Sequence, residues 1–335
     1  MKIGLALNTE YATGDDPSRR VAEHLEQVRA ARDAGFDLIG VVHHYSRGPS
    51  YWFPPLLMAA AVAAEAGPLR VASTVFLLPL AHPVEVAEQV AMLDALTRGR
   101  FIFGVGLGWR KEEFEALEID MAHRAGRLEE ALALMERLWR GESVTFEGRH
   151  FHLNGVSLTL RPARRPPIWV AGNSAENAIR RAARVGDAWI ISSHPSLEMI
   201  DRHLPVYRAE LERLGKPWPE ELPVLRNFYI STDLETALSE ARDYFEESYK
   251  VFCEWGLFED VLKVGKRHLS GGELLGGRLI IGGPEECLEQ IEAYRQRIPG
   301  MLPILRMQWM GMPHAKVMAA IERVGSQILP ALGGL

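Results

Sequence analysis

Eight short apolar runs, separated by longer segments with helical periodicity, are the feature that most constrains the fold of this chain. Strands that are apolar almost throughout are buried on both faces, as in parallel sheets with helical connections. Eight repeats of a strand and a helix predict an α/β protein of the (β/α)8 TIM-barrel class, with a doubly wound sheet as the alternative. The runs are residues 3–7, 38–42, 70–76, 101–106, 168–172, 188–192, 224–230 and 304–310.

Two segments interrupt this alternation. Residues 143–162 alternate apolar and polar positions between turn residues, which predicts a hairpin inserted before the fifth strand. Residues 253–283 are irregular and rich in glycine, which predicts a long loop before the eighth strand that shapes a lid or a substrate pocket. Because no low-complexity linker divides the chain, we expect residues 1–335 to form one domain.

Composition narrows the classes of function. Of 335 residues, 47% are hydrophobic, and the formal net charge of −6 comes from interspersed charges that offer no basic stripe to a nucleic acid. Two cysteines, Cys253 and Cys287, are too few for a disulfide framework. The opening MKIGLAL lacks the features of a signal peptide, and no run reaches the ~18 apolar residues of a membrane span. We therefore expect a cytoplasmic protein that binds neither nucleic acid nor membrane.

A glycine cluster ends the fourth apolar run, in the stretch FIFGVGLGW of residues 101–109. The dinucleotide fingerprint requires G-x-G-x-x-G, whereas Gly104, Gly106 and Gly108 give G-x-G-x-G and Trp109 occupies the third glycine position. A Rossmann turn is therefore disfavoured, and a strand end at which backbones pack closely is the simpler interpretation.

In a barrel, functional residues gather at the carboxyl ends of the strands. After the fifth run, Gly172, Asn173 and Ser174 precede a segment with helical periodicity, where Asn173 or Ser174 could cap the helix. Amide groups at such a helix start bind anions, so this stretch is either a phosphate site or an ordinary cap without a ligand.

A histidine pair, His43 and His44, follows the second run. No spacing such as H-E-x-x-H accompanies it, so we expect no metal, and the pair is either an acid/base group or structural. The sequence also lacks a nucleophile elbow and a Walker loop, which disfavours hydrolases and kinases. Four tryptophans near strand ends could wall a flat cofactor or belong to the core: Trp52, Trp109, Trp189 and Trp309.

Several motifs in order along the chain carry a family resemblance. They include VVHHYSRGPSYW, TVFLLPLAHPVEVAEQVAMLDALTRGRFIFGVGLGW, PPIWVAGNSAENAIRRAARVGDAW and LRMQWMGM. Together they resemble the bacterial luciferase-like family of flavin-dependent monooxygenases and oxidoreductases. The resemblance implies a TIM barrel with a flavin at the carboxyl ends of its strands, and a fourth strand whose glycines make room for that flavin.

The resemblance also assigns residues to the site. His43 matches the first histidine of the family's E-H-H-F motif, which implies a catalytic acid/base role, and Val42 and Tyr45 replace the flanking Glu and Phe. Thr74 and Val75 match a position where the family commonly has a cis peptide bond beneath the flavin.

Further assignments concern the cofactor. Gly106 matches a flavin contact, and Leu107 replaces a phosphate-binding Arg, so the phosphate is expected at Gly172, Asn173 and Ser174. Arg127 matches an arginine near the cofactor, with a surface ion pair to Glu129 or Glu130 as the alternative. Asn8 and Ser192, which follow the first and sixth runs, complete the predicted cofactor-binding set.

The implied reaction uses reduced FMN and O2 to oxygenate a small organic substrate. Because the chain has no second nucleotide fold for NAD(P)H, we expect a separate NAD(P)H:flavin reductase to supply the reduced flavin. We also expect the enzyme to be a homodimer. Two alternatives remain: a deazaflavin-dependent dehydrogenase on the same barrel, and a non-catalytic flavin-binding protein.

Overall fold

The structure is a computed structural model that describes residues 1–42, 44–45, 50–173, 175–256 and 277–333. Short apolar strands alternate in it with amphipathic helices. The strands are β1 Gly4–Leu7, β2 Glu10–Ala12, β3 Leu38–Val41, β4 Ser50–Trp52, β5 Arg70–Ser73, β6 Phe101–Val105, β7 Val144–Glu147, β8 His152–Val156, β9 Ile168–Ala171, β10 Ala188–Ile190, β11 Leu222–Ile230, β12 Leu279–Gly282 and β13 Met301–Arg306.

Capping residues in the sequence mark the ends of several helices. In the first helix, Asp16 accepts a hydrogen bond from the Ser18 amide, and Gly35 ends the helix in the left-handed conformation. The helices are α1 Pro17–Ala34, α2 Pro55–Glu65, α3 Pro83–Thr97, α4 Lys111–Ala116, α5 Arg124–Trp139, α6 Glu176–Val185, α7 Leu197–Arg213, α8 Leu234–Glu254, α9 Pro284–Arg297, α10 His314–Arg323 and α11 Leu329–Gly333.

Nine strands form one parallel sheet in the order β10-β9-β6-β5-β3-β1-β13-β11-β12. The sheet curls back on itself. β10 lies at one edge of the strand order, yet Ile191, directly after β10, exchanges backbone hydrogen bonds with β11, which lies near the opposite edge. The Ile191 amide donates to Pro223 O at 2.9 Å, and Ile191 O accepts from the Leu225 amide at 2.8 Å. A (β/α)8 barrel is consistent with this arrangement, and the single domain over residues 1–335 stays a prediction.

The interior of the curled sheet holds its own apolar cluster, whose members all lie on strands of the sheet. The helices cover the opposite face with a much larger core. We call the interior cluster the lower interior layer; it consists of Ala6, Leu38, Ala72, Ile102, Trp169, Ala188, Ile190, Leu225, Leu302 and Ile304.

Some elements differ from the sequence-based prediction. Residues 279–282 form β12 within the segment predicted as an irregular loop, and they pair with β11 from Asn227 to Ile230. The run LIIG is short and follows a glycine-rich stretch, so its apolar character was overlooked. β2 and β4 form an antiparallel pair that the sequence did not suggest. β7 and β8 pair antiparallel within residues 143–162, where a hairpin was expected.

Candidate functional site

Polar residues and two glycines line the interior of the sheet at the carboxyl ends of the strands. Side chains alternate between the two faces of a strand, so positions two residues beyond the lower interior layer face the same interior. We call these positions the upper interior layer. It consists of Asn8, Gly40, Thr74, Gly104, Ser192, Asn227 and Arg306, together with Asn173, which lies two residues beyond Ala171, a residue that packs against the lower interior layer.

Four polar atoms in this layer are buried without a hydrogen-bond partner among the described residues. They are Asn8 Oδ1, Thr74 Oγ1, Asn173 Oδ1 and Arg306 Nη2. Buried polar groups in folded proteins are nearly always hydrogen-bonded, so four such atoms at the ends of four strands mark a place where a ligand or water completes the bonding. Asn8, Thr74 and Asn173 belong to the cofactor-binding set predicted from sequence.

The glycines at the end of β6 allow close packing against the segment after β5. A Cβ atom on Gly104 would lie 2.0 Å from Ser73 O, and one on Gly106 would lie 2.7 Å from Val75 Cγ2. Protein atoms therefore already occupy the space beside both glycines, in agreement with the simpler interpretation of the glycine cluster. The cofactor contact at Gly106 stays a prediction. The Thr74–Val75 peptide bond is cis, as the family resemblance implied.

The segment between β9 and α6 departs in one respect from expectation. Ala175, which has no capping side chain, occupies the N-cap of α6, so the expectation that Asn173 caps the helix is wrong. Gly172 lies close to the helix, since a Cβ there would be 3.1 Å from the Ala178 carbonyl, and its own carbonyl accepts from Trp189 Nε1 at 2.8 Å. Ser174 lies outside the described residues.

A histidine–glutamate pair lies beside the strand ends. His44 Nδ1 is 3.0 Å from Glu113 Oε1, and the same oxygen accepts the Tyr45 amide at 2.9 Å. Glu113 is buried in α4, which follows β6, so the pair links segments that follow two different strands. Glu113 was missed from sequence, and its only signal was the acidic pair in the stretch KEEF. His43, the predicted catalytic residue, lies outside the described residues.

Aromatic rings surround His44. Its ring contacts those of Trp52, Trp109 and Trp255 edge-on, at centroid distances of 5.0, 6.1 and 6.4 Å. The Arg110 guanidinium stacks on Trp255 at 3.9 Å. Of the four tryptophans considered from sequence, Trp52 and Trp109 thus lie at the site. The other two, Trp189 and Trp309, are fully buried in the core.

Burial shifts the pKa values of two ionisable groups near the carboxyl ends of the strands. Burial raises the pKa of Glu10, against the opposing charges of Arg306 and His44. Burial also lowers the pKa of His194 to about 3, and the charges of Arg306 and His44 act in the same direction. His194 Nδ1 lies 3.1 Å from Ser192 Oγ, so the predicted residue Ser192 has a protein partner. His44 and Arg306 are therefore close enough to act on the same two groups.

Arg127 is placed differently from the ion pair considered as its alternative. Its Nε donates to Pro79 O at 2.7 Å, and its guanidinium stacks on Phe151 at 4.7 Å. The two candidate partners are engaged elsewhere: Glu129 pairs with Arg181 and Arg184, and Glu130 accepts backbone amides of the hairpin. The alternative prediction, an ion pair of Arg127 with Glu129 or Glu130, is therefore wrong.

The described ranges offer neither a metal site nor a helix that could span a membrane. They contain no group of three or more His, Cys, Asp or Glu residues placed to hold a metal ion. Within the same ranges, every helix is too short or too polar to cross a bilayer. The cytoplasmic location stays a prediction.

Comparison with known proteins identifies the family. The model of the luciferase-like monooxygenase family matches residues 1–299, so the chain belongs to that family. Curated relatives include an F420-dependent glucose-6-phosphate dehydrogenase of Nakamurella multipartita, 31% identical over 64% of this chain and 64% of that protein. Another is the 4-hydroxyprotoasukamycin monooxygenase of Streptomyces nodosus subsp. asukaensis, 32% identical over 56% of this chain and 52% of that enzyme. The chain thus matches between half and two thirds of the length of these relatives.

Solved structures share the fold over the whole chain. The monooxygenase RslO1 from Streptomyces bottropensis superposes with a TM-score of 0.86 at 24% identity, covering 99% of this chain and 100% of that one. The oxygenating constituent of 3,6-diketocamphane monooxygenase from Pseudomonas putida, solved in complex with FMN, gives 0.83 at 20% identity and 98% coverage of both chains. At these identities the likeness establishes the fold alone.

Proposed function

We propose that the protein is an FMN-dependent monooxygenase that uses reduced FMN and O2 to oxygenate a small organic substrate. The observation that carries the proposal is the set of unpartnered buried oxygens in the upper interior layer, Asn8 Oδ1, Thr74 Oγ1 and Asn173 Oδ1. A flavin ring system carries both N–H donors and carbonyl acceptors along one edge, so amide and hydroxyl side chains at the end of a sheet fit it. Family membership and the FMN bound to a structural relative support the same cofactor.

The residues that would hold the cofactor follow from their positions. Asn8, Thr74 and Asn173 would bind the ring system from the interior of the sheet, and the backbone of Gly172 and Asn173, with Ser174, would lie nearest its phosphate. Amide groups before a helix favour an anion, because the helix start carries a partial positive charge. When bound, reduced flavin supplies the two electrons that activate O2 for insertion of one oxygen atom.

The His44–Glu113 pair suits this site as a proton-transfer device. Glu113 Oε1, which also accepts the Tyr45 amide, lies at Nδ1 of His44, so Nε2 is the nitrogen of this imidazole that is left to exchange a proton. The three tryptophans around the imidazole limit the access of water and fix the orientation of the ring. The acid/base role of His43 remains part of the proposal.

A second candidate is an F420-dependent dehydrogenase, in which a deazaflavin exchanges a hydride with the substrate. Specific relatives favour it: F420-dependent glucose-6-phosphate dehydrogenases match the chain, including one from Beutenbergia cavernae at 29% identity over 90% of both proteins. Both cofactors have a related ring system, so the upper interior layer fits either.

Cofactor titration separates the two functions. Purified protein is titrated with FMN, reduced FMN under anaerobic conditions, and F420, while tryptophan fluorescence is followed. We expect tighter binding of reduced FMN than of F420, and a loss of FMN affinity of about tenfold in Asn8→Ala from the missing hydrogen bond. The matched control is Asn154→Ala, which changes an exposed asparagine of the β7–β8 hairpin and should leave affinity unchanged. Tight binding of F420 with no binding of reduced FMN would replace the monooxygenase by the dehydrogenase.

Oxygen consumption tests the proposed partners. With NAD(P)H and FMN alone, the protein should consume no oxygen, because its reduced FMN has to come from a separate NAD(P)H:flavin reductase. Oxygen uptake with NAD(P)H in the absence of any reductase would contradict the two-component arrangement. The proposed homodimer is tested independently by light scattering, where a monomeric mass would contradict it.

A further inference from the structure

The last residue of β13, Arg306, places a guanidinium in the interior of the sheet. Its register partners are Ala6 of β1 and Asn227 of β11, and it follows Ile304 of the lower interior layer by two residues. The residue is 6% exposed. A cation therefore lies directly above an apolar layer, where it has little contact with solvent.

The hydrogen bonds of Arg306 use only part of its capacity. Nε donates to Asn227 Oδ1 at 2.7 Å, and Asn227 Nδ2 in turn donates to the Tyr249 hydroxyl at 2.6 Å. The guanidinium also lies 5.8 Å from the ring centre of Phe252. Nη2 is buried and has no partner in the part of the chain that the structure describes. A guanidinium has five N–H donors, so the end that faces away from Asn227 is left to bind something else.

No carboxylate of the described ranges lies within 4.0 Å of Arg306. Burial lowers the pKa of Arg306, and the charges of Tyr249 and then Glu10 oppose that shift, while burial raises the pKa of the Glu10 carboxyl itself. Leaving a buried charge unpaired typically costs several kcal/mol, so such a group persists where a ligand of opposite charge completes it.

Two other buried arginines show what a structural role looks like in this protein. Arg226 donates to the carbonyls of Ser192 and Leu225 at 2.6 and 2.7 Å, and it stacks on Tyr294. Arg278 donates to His194 O at 2.8 Å. Both donate to backbone carbonyls, although Arg226 also has one buried atom, Nε, without a partner among the described residues. Arg306 bonds no backbone carbonyl, and its free end lies in the same interior as the unpartnered oxygens of Asn8 and Thr74.

We infer that Arg306 binds an anionic group of the substrate, so that the substrate is an organic acid carrying a carboxylate or sulfonate. A carboxylate has two oxygens and a sulfonate has three, and in each group two of them can accept the paired N–H bonds of a guanidinium. This inference rests on the proposed site and deepens it by naming the substrate class. The other source of an anion is the phosphate of the cofactor itself, and the experiment distinguishes the two.

The probes are 1-hexanesulfonate and hexanoate, with 1-hexanol as the uncharged analogue, titrated calorimetrically against the protein with and without bound FMN. We expect the two anions to bind and the alcohol to bind much more weakly. Arg306→Met should lose anion affinity by about 10- to 100-fold, because a hydrogen bond to a charged partner is lost. Arg306→Lys keeps the charge but lacks the fork of N–H donors, so its anion affinity should lie between those of the wild type and Arg306→Met. Arg242→Met removes an exposed arginine and serves as the matched control for net charge.

FMN and riboflavin, which lacks the phosphate, are titrated against the same variants. Anion binding lost in Arg306→Met while FMN affinity stays within about threefold supports the inference. Equal anion affinity in wild type and Arg306→Met would overturn it. A loss of affinity for FMN but not for riboflavin would also overturn it, because Arg306 would then hold the cofactor phosphate. If the protein binds no flavin at all, the proposed function fails, whereas the anion titrations without FMN still decide the role of Arg306.

Discussion

The lower and upper interior layers follow one another along the strands and the residues directly after them, yet one layer is apolar and the other is largely polar. The lower layer is apolar and its side chains pack against one another. Two residues further along the same strands, the upper layer contains amides, hydroxyls and a guanidinium, four of whose atoms lack a partner among the described residues. The strands thus change from a packed core to an unsatisfied polar surface within one alternation.

The lower layer therefore contributes to the stability of the fold, whereas the upper layer is available to bind a ligand. Packed apolar side chains contribute favourable free energy on burial, whereas each buried polar atom without a partner costs about 1–3 kcal/mol. Functional sites commonly retain such costs because a ligand compensates them. We therefore expect substitutions in the lower layer to lower stability, and apolar substitutions in the upper layer to raise it while weakening binding.

The largest expected effect tests the lower layer. Ile304→Ala removes a fully buried side chain two residues before Arg306 and leaves a cavity, so the free energy of unfolding should fall by about 2–5 kcal/mol. Ile304→Val, which removes one methylene, should cost about 0.5–1.5 kcal/mol and serves as the graded control. Urea unfolding followed by circular dichroism measures both. A loss below that of Ile304→Val would mean that the lower layer is not packed.

The pH dependence of stability tests the surroundings of the upper interior layer, where His194 contacts Ser192, because the lower interior layer contains no ionisable group. Burial lowers the pKa of His194 to about 3, against about 6.5 in an unfolded chain. The unfolded state therefore binds more protons below pH 6.5, and stability falls as the pH drops from about 6.5 toward 3. At pH 5 this histidine should cost about 2 kcal/mol relative to pH 7. His24, whose pKa burial lowers to about 4, adds a change of the same sign.

Urea midpoints at pH 7 and pH 5 isolate the contribution of His194. In His194→Gln the loss between the two pH values should shrink by about 2 kcal/mol, while the part due to His24 remains. The control is His152→Gln at an exposed position of the hairpin, which should keep the wild-type dependence. Identical pH dependence in His194→Gln and wild type would show that the imidazole is not held neutral by its burial.

The strand pattern could be predicted because apolar runs of five to seven residues carry a strong local signal. Each of the eight predicted runs overlaps a strand of the sheet, although β11 and β13 begin before their runs and several other strands end before theirs. The ninth strand, β12, was not predicted, since its four residues follow a glycine-rich stretch and its pairing with β11 depends on distant sequence. The β2–β4 pair was missed for the same reason: three-residue strands leave no periodicity to detect.

The site was predictable only where it follows directly from strand ends. Asn8 and Asn173 were named because residues after parallel strands gather at one edge of the sheet, and Thr74 was named through the family resemblance; their roles in cofactor binding stay predictions. Glu113 and Arg306 were not found, because a charged residue is usually on the surface and nothing local distinguishes a buried one. Their roles arise from contacts between segments far apart in sequence: Glu113 meets His44 across 69 residues, and Arg306 meets Asn227 across 79.

The smallest expected effect contrasts two neighbouring residues at the boundary between packing and function. Thr74 Oγ1 is buried without a partner in the described ranges, whereas Ser73 Oγ, one residue earlier, donates to Gly104 O at 2.8 Å. Thr74→Val replaces the unpaired hydroxyl by a methyl group of similar size, so the free energy of unfolding should rise by about 1 kcal/mol. Ser73→Ala breaks a satisfied hydrogen bond and should lower it by about 1 kcal/mol. Thermal unfolding without added cofactor measures both, and FMN titration of Thr74→Val should show weaker binding than wild type. Equal losses of stability in the two variants would mean that the Thr74 hydroxyl is satisfied like its neighbour, and the upper layer would then lose one of the oxygens on which the cofactor site rests.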